Sequence, residues 1–128
     1  MKIQNEKTIL IAEDDCLNHK YIRNLLENNG WRVESVYNGD QAVEKLLMHK
    51  IDLVLMDGRM PKMDGFEAAR KIRENEKKTG TRVPIIAITG YAFEDDKEKF
   101  IDSGMDDYII KPIDENILLN LIKKHLTN

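Results

Sequence analysis

Five short apolar runs, each followed by a helix-length amphipathic stretch, constrain this chain more than any other feature of its sequence. The runs are 8–12 (TILIA), 32–36 (RVESV), 53–56 (LVLM), 84–88 (PIIAI) and 107–110 (DYII). The first, third and fourth are apolar almost throughout, as parallel strands covered on both faces must be. The second alternates, putting Val33 and Val36 on offset faces, which suits a sheet edge. Between the runs lie apolar stripes at helical spacing: Leu17, Ile22, Leu25 and Leu26; Ala42, Val43, Leu46 and Leu47; Phe66, Ala69 and Ile72; a weaker Phe93, Phe100 and Ile101; and Ile117, Leu118, Leu121 and Ile122. Asn29-Gly30 and Gly104 read as helix stops. Asp64, with Glu67 three residues on, reads as a capping-box start, and Asp114 as an N-cap.

The order βαβαβαβαβα predicts a parallel sheet with helices on both faces and right-handed crossovers. Five strands favour a flavodoxin-like α/β three-layer sandwich of order 2-1-3-4-5 over a dinucleotide-binding fold. A length of 128 residues suffices for one domain with one core, so a single domain over 1–128 is expected, its core running from about 7 to 126.

Composition narrows the partners. A net charge of -3, with 20 basic against 23 acidic residues and no basic block, argues against direct nucleic-acid binding. One cysteine, Cys16, allows no internal disulfide and suits a reducing compartment. The polar start MKIQNEK carries no signal-peptide pattern, and no apolar stretch approaches the roughly 20 residues of a membrane span. The expectation is a cytoplasmic domain with no membrane insertion, either standing alone or belonging to a longer protein.

Ligands of open parallel sheets bind beyond the carboxyl ends of the strands. Glu13, Asp14 and Asp15 follow the first strand, Asp57 ends the third, Thr89 and Gly90 follow the fourth, and Lys111 and Pro112 the fifth. Each has a plainer reading alone: Asp57 as a turn residue, Asp14 or Asp15 as a helix cap, Thr89 as an ordinary strand end, Lys111 as a solvated lysine. Together they place carboxylates, a hydroxyl and a lysine on one rim. Gathered carboxylates repel unless a cation neutralises them, and oxygen ligands without a His or Cys cage suit Mg²⁺. Such parts fit phosphoryl transfer, where positioning and charge neutralisation dominate.

The segments ILIAEDD, LVLMDGRMPKMDG, IIAITG and DDYIIKPI, in that order, resemble the receiver domain of two-component response regulators, in the style of receivers fused to hybrid histidine kinases. The resemblance runs from Thr8 to about Leu126. It implies Asp57 as phosphoacceptor for a phosphohistidine on a histidine kinase or histidine phosphotransfer domain. It implies Mg²⁺, with Mn²⁺ as a substitute, held by Asp14 and Asp57, by Glu13 at one remove through water, and by the backbone carbonyl of Arg59. Lys111 would contact a phosphoryl oxygen, after a cis bond to Pro112. Thr89 would move to the phosphoryl group and Tyr108 would follow inward, switching a surface of the fourth and fifth helices and the fifth strand toward an unidentified protein target, with dimerisation on phosphorylation as a further outcome. For Tyr108 the plainer reading is a half-buried strand aromatic.

On this reading the chain is a signalling domain rather than an enzyme in its own right, with weak self-phosphorylation and self-dephosphorylation. Two other functions compete. A Mg²⁺-dependent aspartyl-phosphate hydrolase would want a second acid two residues past the nucleophile, where Arg59 stands. A degenerate receiver, acting as a constitutive interaction module, would lack some of Asp57, Asp14, Thr89 and Lys111, and all are present. Asp15 stands where many members carry Asn, and either caps the first helix or adds charge near the metal. Gly90 stands where Ala is usual. Arg59 and Tyr91, two residues beyond Asp57 and Thr89, are expected to flank the path of attacking water and slow dephosphorylation; the plainer reading is that both point to solvent. His19, His49 and His125 share no pattern and read as solvated or half-buried surface residues; Cys16 reads as a small residue opening the first helix.

Overall fold

The computed structural model describes residues 7–60, 62–90 and 97–126. Along them strands and helices alternate strictly: β1 (Thr8–Ala12), α1 (Cys16–Asn28), β2 (Arg32–Val36), α2 (Gly39–Met48), β3 (Leu53–Asp57), α3 (Gly65–Thr79), β4 (Ile85–Thr89), α4 (Lys97–Asp102), β5 (Asp107–Ile110) and α5 (Glu115–Leu126). All pairings are parallel and the order is β2-β1-β3-β4-β5, the flavodoxin-like arrangement expected from the alternation. Every residue of β3 and β4 is buried, whereas β2 is buried only at Val33 and Val36, in keeping with its edge position. Pro84 falls just outside β4.

Side chains alternate across a strand, so each central strand feeds two apolar layers. Ile9, Ile11, Leu53, Leu55, Ile86, Ile88 and Ile109 pack with Ile22 and Leu26 of α1 and Leu118 and Ile122 of α5. Leu10, Ala12, Val54, Met56, Ile85 and Ala87 pack with Ala42 of α2, Ala68, Ala69 and Ile72 of α3, and Phe100 of α4. These two layers hold the sheet rigid beneath its carboxyl edge.

The helical stripes are narrower than the sequence suggests. Leu17, Leu47, Ile101 and Ile117 were expected to face the core, yet all four are exposed, Leu17 at 80%. A helix lying on a sheet buries one stripe only. In α1 that stripe is His19, Ile22 and Leu26, and Leu17 lies on the opposite side. Phe93 and Tyr91 lie outside the described residues.

The caps follow the sequence. Asp15 accepts from the Leu17 and Asn18 amides, which settles its role as the N-cap of α1. Asp64 accepts from the Glu67 amide and Asp114 from Ile117. Gly30 (φ 91) and Gly104 (φ 88) turn the chain out of α1 and α4 through the left-handed region, which glycine enters without steric cost.

Candidate functional site

Strand alternation itself assembles the site. Glu13 continues the series Ile9, Ile11; Asp57 continues Leu53, Leu55; Lys111 continues Ile109. Three strands pointing their apolar residues to one layer therefore point their next residue to one spot. Asp57 still pairs in register with Ile88, and the Gly58 amide donates to the Ile88 carbonyl at 3.1 Å, so the carboxylate leaves a strand still bonded to β4. The Arg59 amide donates to Asp57 Oδ1 at 3.0 Å. Lys111 Nζ lies 3.7 Å from Asp57 Oδ2 and 3.5 Å from Glu13 Oε1. The Lys111 amide donates to the Thr89 carbonyl, carrying the β4–β5 register one residue past Ile110. The Lys111–Pro112 bond is cis, as expected.

Glu13, Asp14 and Asp57 each offer a carboxylate oxygen within 4.8 Å of the others; Glu13 and Asp57 are buried and Asp14 is exposed. Burial raises the Glu13 pKa from 4.5 to about 7, and the adjacent Asp57 carboxylate pushes the same way, against the pull of the Asp15 amide and Lys111. Glu13 Oε2 accepts from the Asp15 amide at 3.1 Å, while the buried Oε1 makes no hydrogen bond among the described residues and has the Lys111 ammonium as its ion-pair partner at 3.5 Å. One lysine cannot balance three carboxylates. An all-oxygen donor set and a surplus of negative charge fit a hard divalent cation such as Mg²⁺.

Asp14, Gly58, Arg59, Met60, Asp64, Phe66 and Lys99 line an open cleft beside this cluster. The Arg59 side chain is exposed, as is Gly90; Pro61 and Tyr91 lie outside the described residues. Thr89 is buried at the last paired position of β4. Tyr108 is 42% exposed and meets Phe100 of α4 edge to face, ring centres 5.4 Å apart, so it faces outward rather than into the sheet edge. Asp64-Gly65 is structural: a Cβ at Gly65 would collide with the Asp57 carbonyl oxygen, so α3 starts hard against the strand that carries Asp57. Gly65→Ala is expected to lower stability by about 1–3 kcal/mol, through overpacking against backbone, as read by urea unfolding.

Two residues at the site escaped sequence reasoning. Lys99 reaches the cleft only because α4 folds over that end of the sheet. His19, expected at the surface, is 4% exposed, and its Nδ1 lies 2.9 Å from the Glu13 carbonyl oxygen. No signal in the sequence marked it, because the contact depends on how α1 seats against the end of β1. His49 is exposed at the end of α2, and His125 is half-buried, 3.1 Å from Asp107 Oδ2. No helix of the described residues is long and apolar enough to cross a membrane.

Comparison with known proteins agrees with this geometry. The chain is 39% identical over 125 residues to hybrid signal transduction histidine kinase I of Dictyostelium discoideum, covering 92% of this chain but 7% of that protein. It is 40% identical over 118 residues to signal transduction histidine-protein kinase BarA of Escherichia coli K12, again covering 92% of this chain and 13% of the kinase. The chain thus spans only a small part of the length of these relatives. Among solved structures, the receiver domain of sensor histidine kinase PA1611 from Pseudomonas aeruginosa PAO1, which carries a magnesium ion in its active-site cleft, superposes with a TM-score of 0.87 at 36% identity, covering 97% of this chain and 100% of that one. Residues 9–123 match the response regulator receiver domain family. With the fold, the acidic cluster and these relatives in agreement, the chain belongs to the response regulator receiver domain family and is a receiver domain of two-component signalling.

Proposed function

We propose that Asp57 is the phosphoacceptor, taking a phosphoryl group from a phosphohistidine of a histidine kinase or histidine phosphotransfer domain. A carboxylate oxygen of Asp57 attacks phosphorus, the P–N bond breaks, its electron pair returns to the imidazole nitrogen, and an aspartyl phosphate results. The observation that carries this reading is the Asp57 carboxylate itself: fixed at the tip of a buried strand, 3.7 Å from Lys111 and within 4.8 Å of two further carboxylates. A rigid strand tip holds a nucleophile in place better than a loop does.

Asp14, Asp57, Glu13 and the Arg59 carbonyl would hold Mg²⁺, or Mn²⁺ in its place. The bound cation supplies positive charge against the carboxylates and the phosphoryl oxygens. Lys111, beside Asp57 and Glu13, would neutralise a phosphoryl oxygen. Thr89 hydrogen-bonds the phosphoryl group, and Tyr108 leaves its outward contact with Phe100, altering the α4–β5–α5 surface for a downstream protein target or a second copy of the chain. We take residues 1–128 as a single receiver domain with its core from about 7 to 126, supported by the one sheet and its two apolar layers.

Incubation with a small-molecule phosphodonor and Mg²⁺, followed by intact mass measurement, tests the reading. A gain of one phosphoryl group is expected; no gain would sink it. Arg59→Ala is expected to shorten the phosphoryl lifetime about two- to fivefold, roughly 0.4–1 kcal/mol of barrier, because the exposed side chain beside Asp57 shields against water. An unchanged lifetime removes the shielding role.

A further inference from the structure

We propose that His19 is a positioning residue for the cation site, acting through the backbone of the acidic loop; the inference rests on the reading of Glu13 and Asp14 as cation-holding residues. The Glu13 carbonyl can only accept, so His19 must carry its hydrogen on Nδ1 and donate it, at 2.9 Å. The ring is buried, with Nε2 left unpartnered among the described residues, and it stacks on Tyr37 with centres 4.8 Å apart and planes 26° apart. A buried nitrogen without a partner costs stability, and an apolar side chain would avoid that cost. What the histidine adds over an apolar filler is the one directed bond to Glu13.

That bond bears on the cation site because the Glu13 carbonyl and the Asp14 amide share one peptide plane. Turning the plane changes the Asp14 backbone angles and re-aims its exposed carboxylate. The Glu13 amide is already held by the Val36 carbonyl at 3.2 Å, and its side chain by the Asp15 amide. His19 closes the remaining freedom. It is itself fixed from two directions, by the first turn of α1, where its amide donates to the Asp15 carbonyl, and by Tyr37 at the end of β2. The orientation of Asp14 is thereby tied to the seating of α1 against the sheet edge.

The test uses the full chain and Mg²⁺ alone, with no phosphodonor. His19→Leu keeps the burial and removes the donor; His19→Asn restores an amide N–H near the Nδ1 position; His19→Gln places one near Nε2 instead. Mg²⁺ affinity is measured by calorimetric titration, and the Asp14 amide resonance is followed in the metal-free protein. The expected result is about tenfold weaker binding in the Leu and Gln variants, a displaced Asp14 resonance in both, and recovery of both readouts in the Asn variant. Equal affinity in all variants, or equal loss in all three, overturns the positioning role. If His19→Leu fails to fold, the Asn and Gln pair decides alone, being polar and differing chiefly in where the N–H sits. Asp14→Ala separates the two readings: if the parent chain binds no Mg²⁺, or binds it undiminished in Asp14→Ala, the assignment of the cation site fails with the inference; if Asp14→Ala loses binding while the His19 variants keep it, only the inference fails.

Discussion

Asp57→Asn takes up no phosphoryl group from a small-molecule donor and Mg²⁺, its rate falling by roughly a thousandfold or more below the parent's, as expected when a nucleophile is removed. The variant separates chemistry from folding. Asn keeps the oxygen that accepts the Arg59 amide hydrogen bond, and the β3–β4 pairing at Ile88 is backbone only. Its fold should therefore be intact. The Asp57 charge also raises the Glu13 pKa, so its removal should bring Glu13 down toward 4.5 and raise the stability of the metal-free chain at neutral pH. Intact mass and urea unfolding read the two effects. Phosphoryl uptake by Asp57→Asn equal to the parent's would show that another residue is the acceptor.

The second large effect is the pH dependence of stability without metal. Glu13 holds its proton to about pH 7 in the folded chain and to 4.5 when unperturbed, so between these values the folded state binds more protons than the unfolded one. Its contribution is complete below the lower value and is lost as pH rises through the upper one. A tenfold change in proton affinity is worth about 1.4 kcal/mol, so the loss is about 3 kcal/mol in all. Glu13→Gln should remove this slope, leaving a chain more stable than the parent above neutrality. Added Mg²⁺ should reverse the trend, since it binds the carboxylate form and stabilises by mass action, about 2.7 kcal/mol at a hundredfold excess over Kd. Urea unfolding of both proteins with chelator across this range checks it; parallel curves would refute a raised Glu13 pKa.

The fold and the acidic rim were legible in the sequence for a simple reason. Residues 53–57 read LVLMD, and the side-chain period of a strand is two; wherever β3 sits, Asp57 must follow Leu55 to the same face. The same holds for Glu13 after Ile11 and Lys111 after Ile109. Three residues far apart in sequence converge because each extends a buried strand by one residue at the same edge. Asp15, Asp64 and Asp114 were readable as caps because capping is local.

What was not legible depends on how helices sit. Leu17, Leu47 and Ile117 are apolar and helically spaced, yet exposed, since only packing decides which stripe of an amphipathic helix meets the sheet. Lys99 reaches the cleft through the placement of α4. Tyr108 faces Phe100 because α4 lies on that side of β5.

The alternation of strands and helices, and the residues at the strand ends, were readable from the chain alone: periodicity is local, the strand order follows from general rules for such alternation, and the family resemblance rests on four motifs at those same strand ends. The role of His19 came from packing. An unremarkable histidine on a helix became the donor that holds the Glu13 carbonyl, because α1 docks with that ring over the end of β1 and under Tyr37. Hydrogen bonds across elements depend on the seating of one rigid body against another, and no spacing within a single segment encodes that.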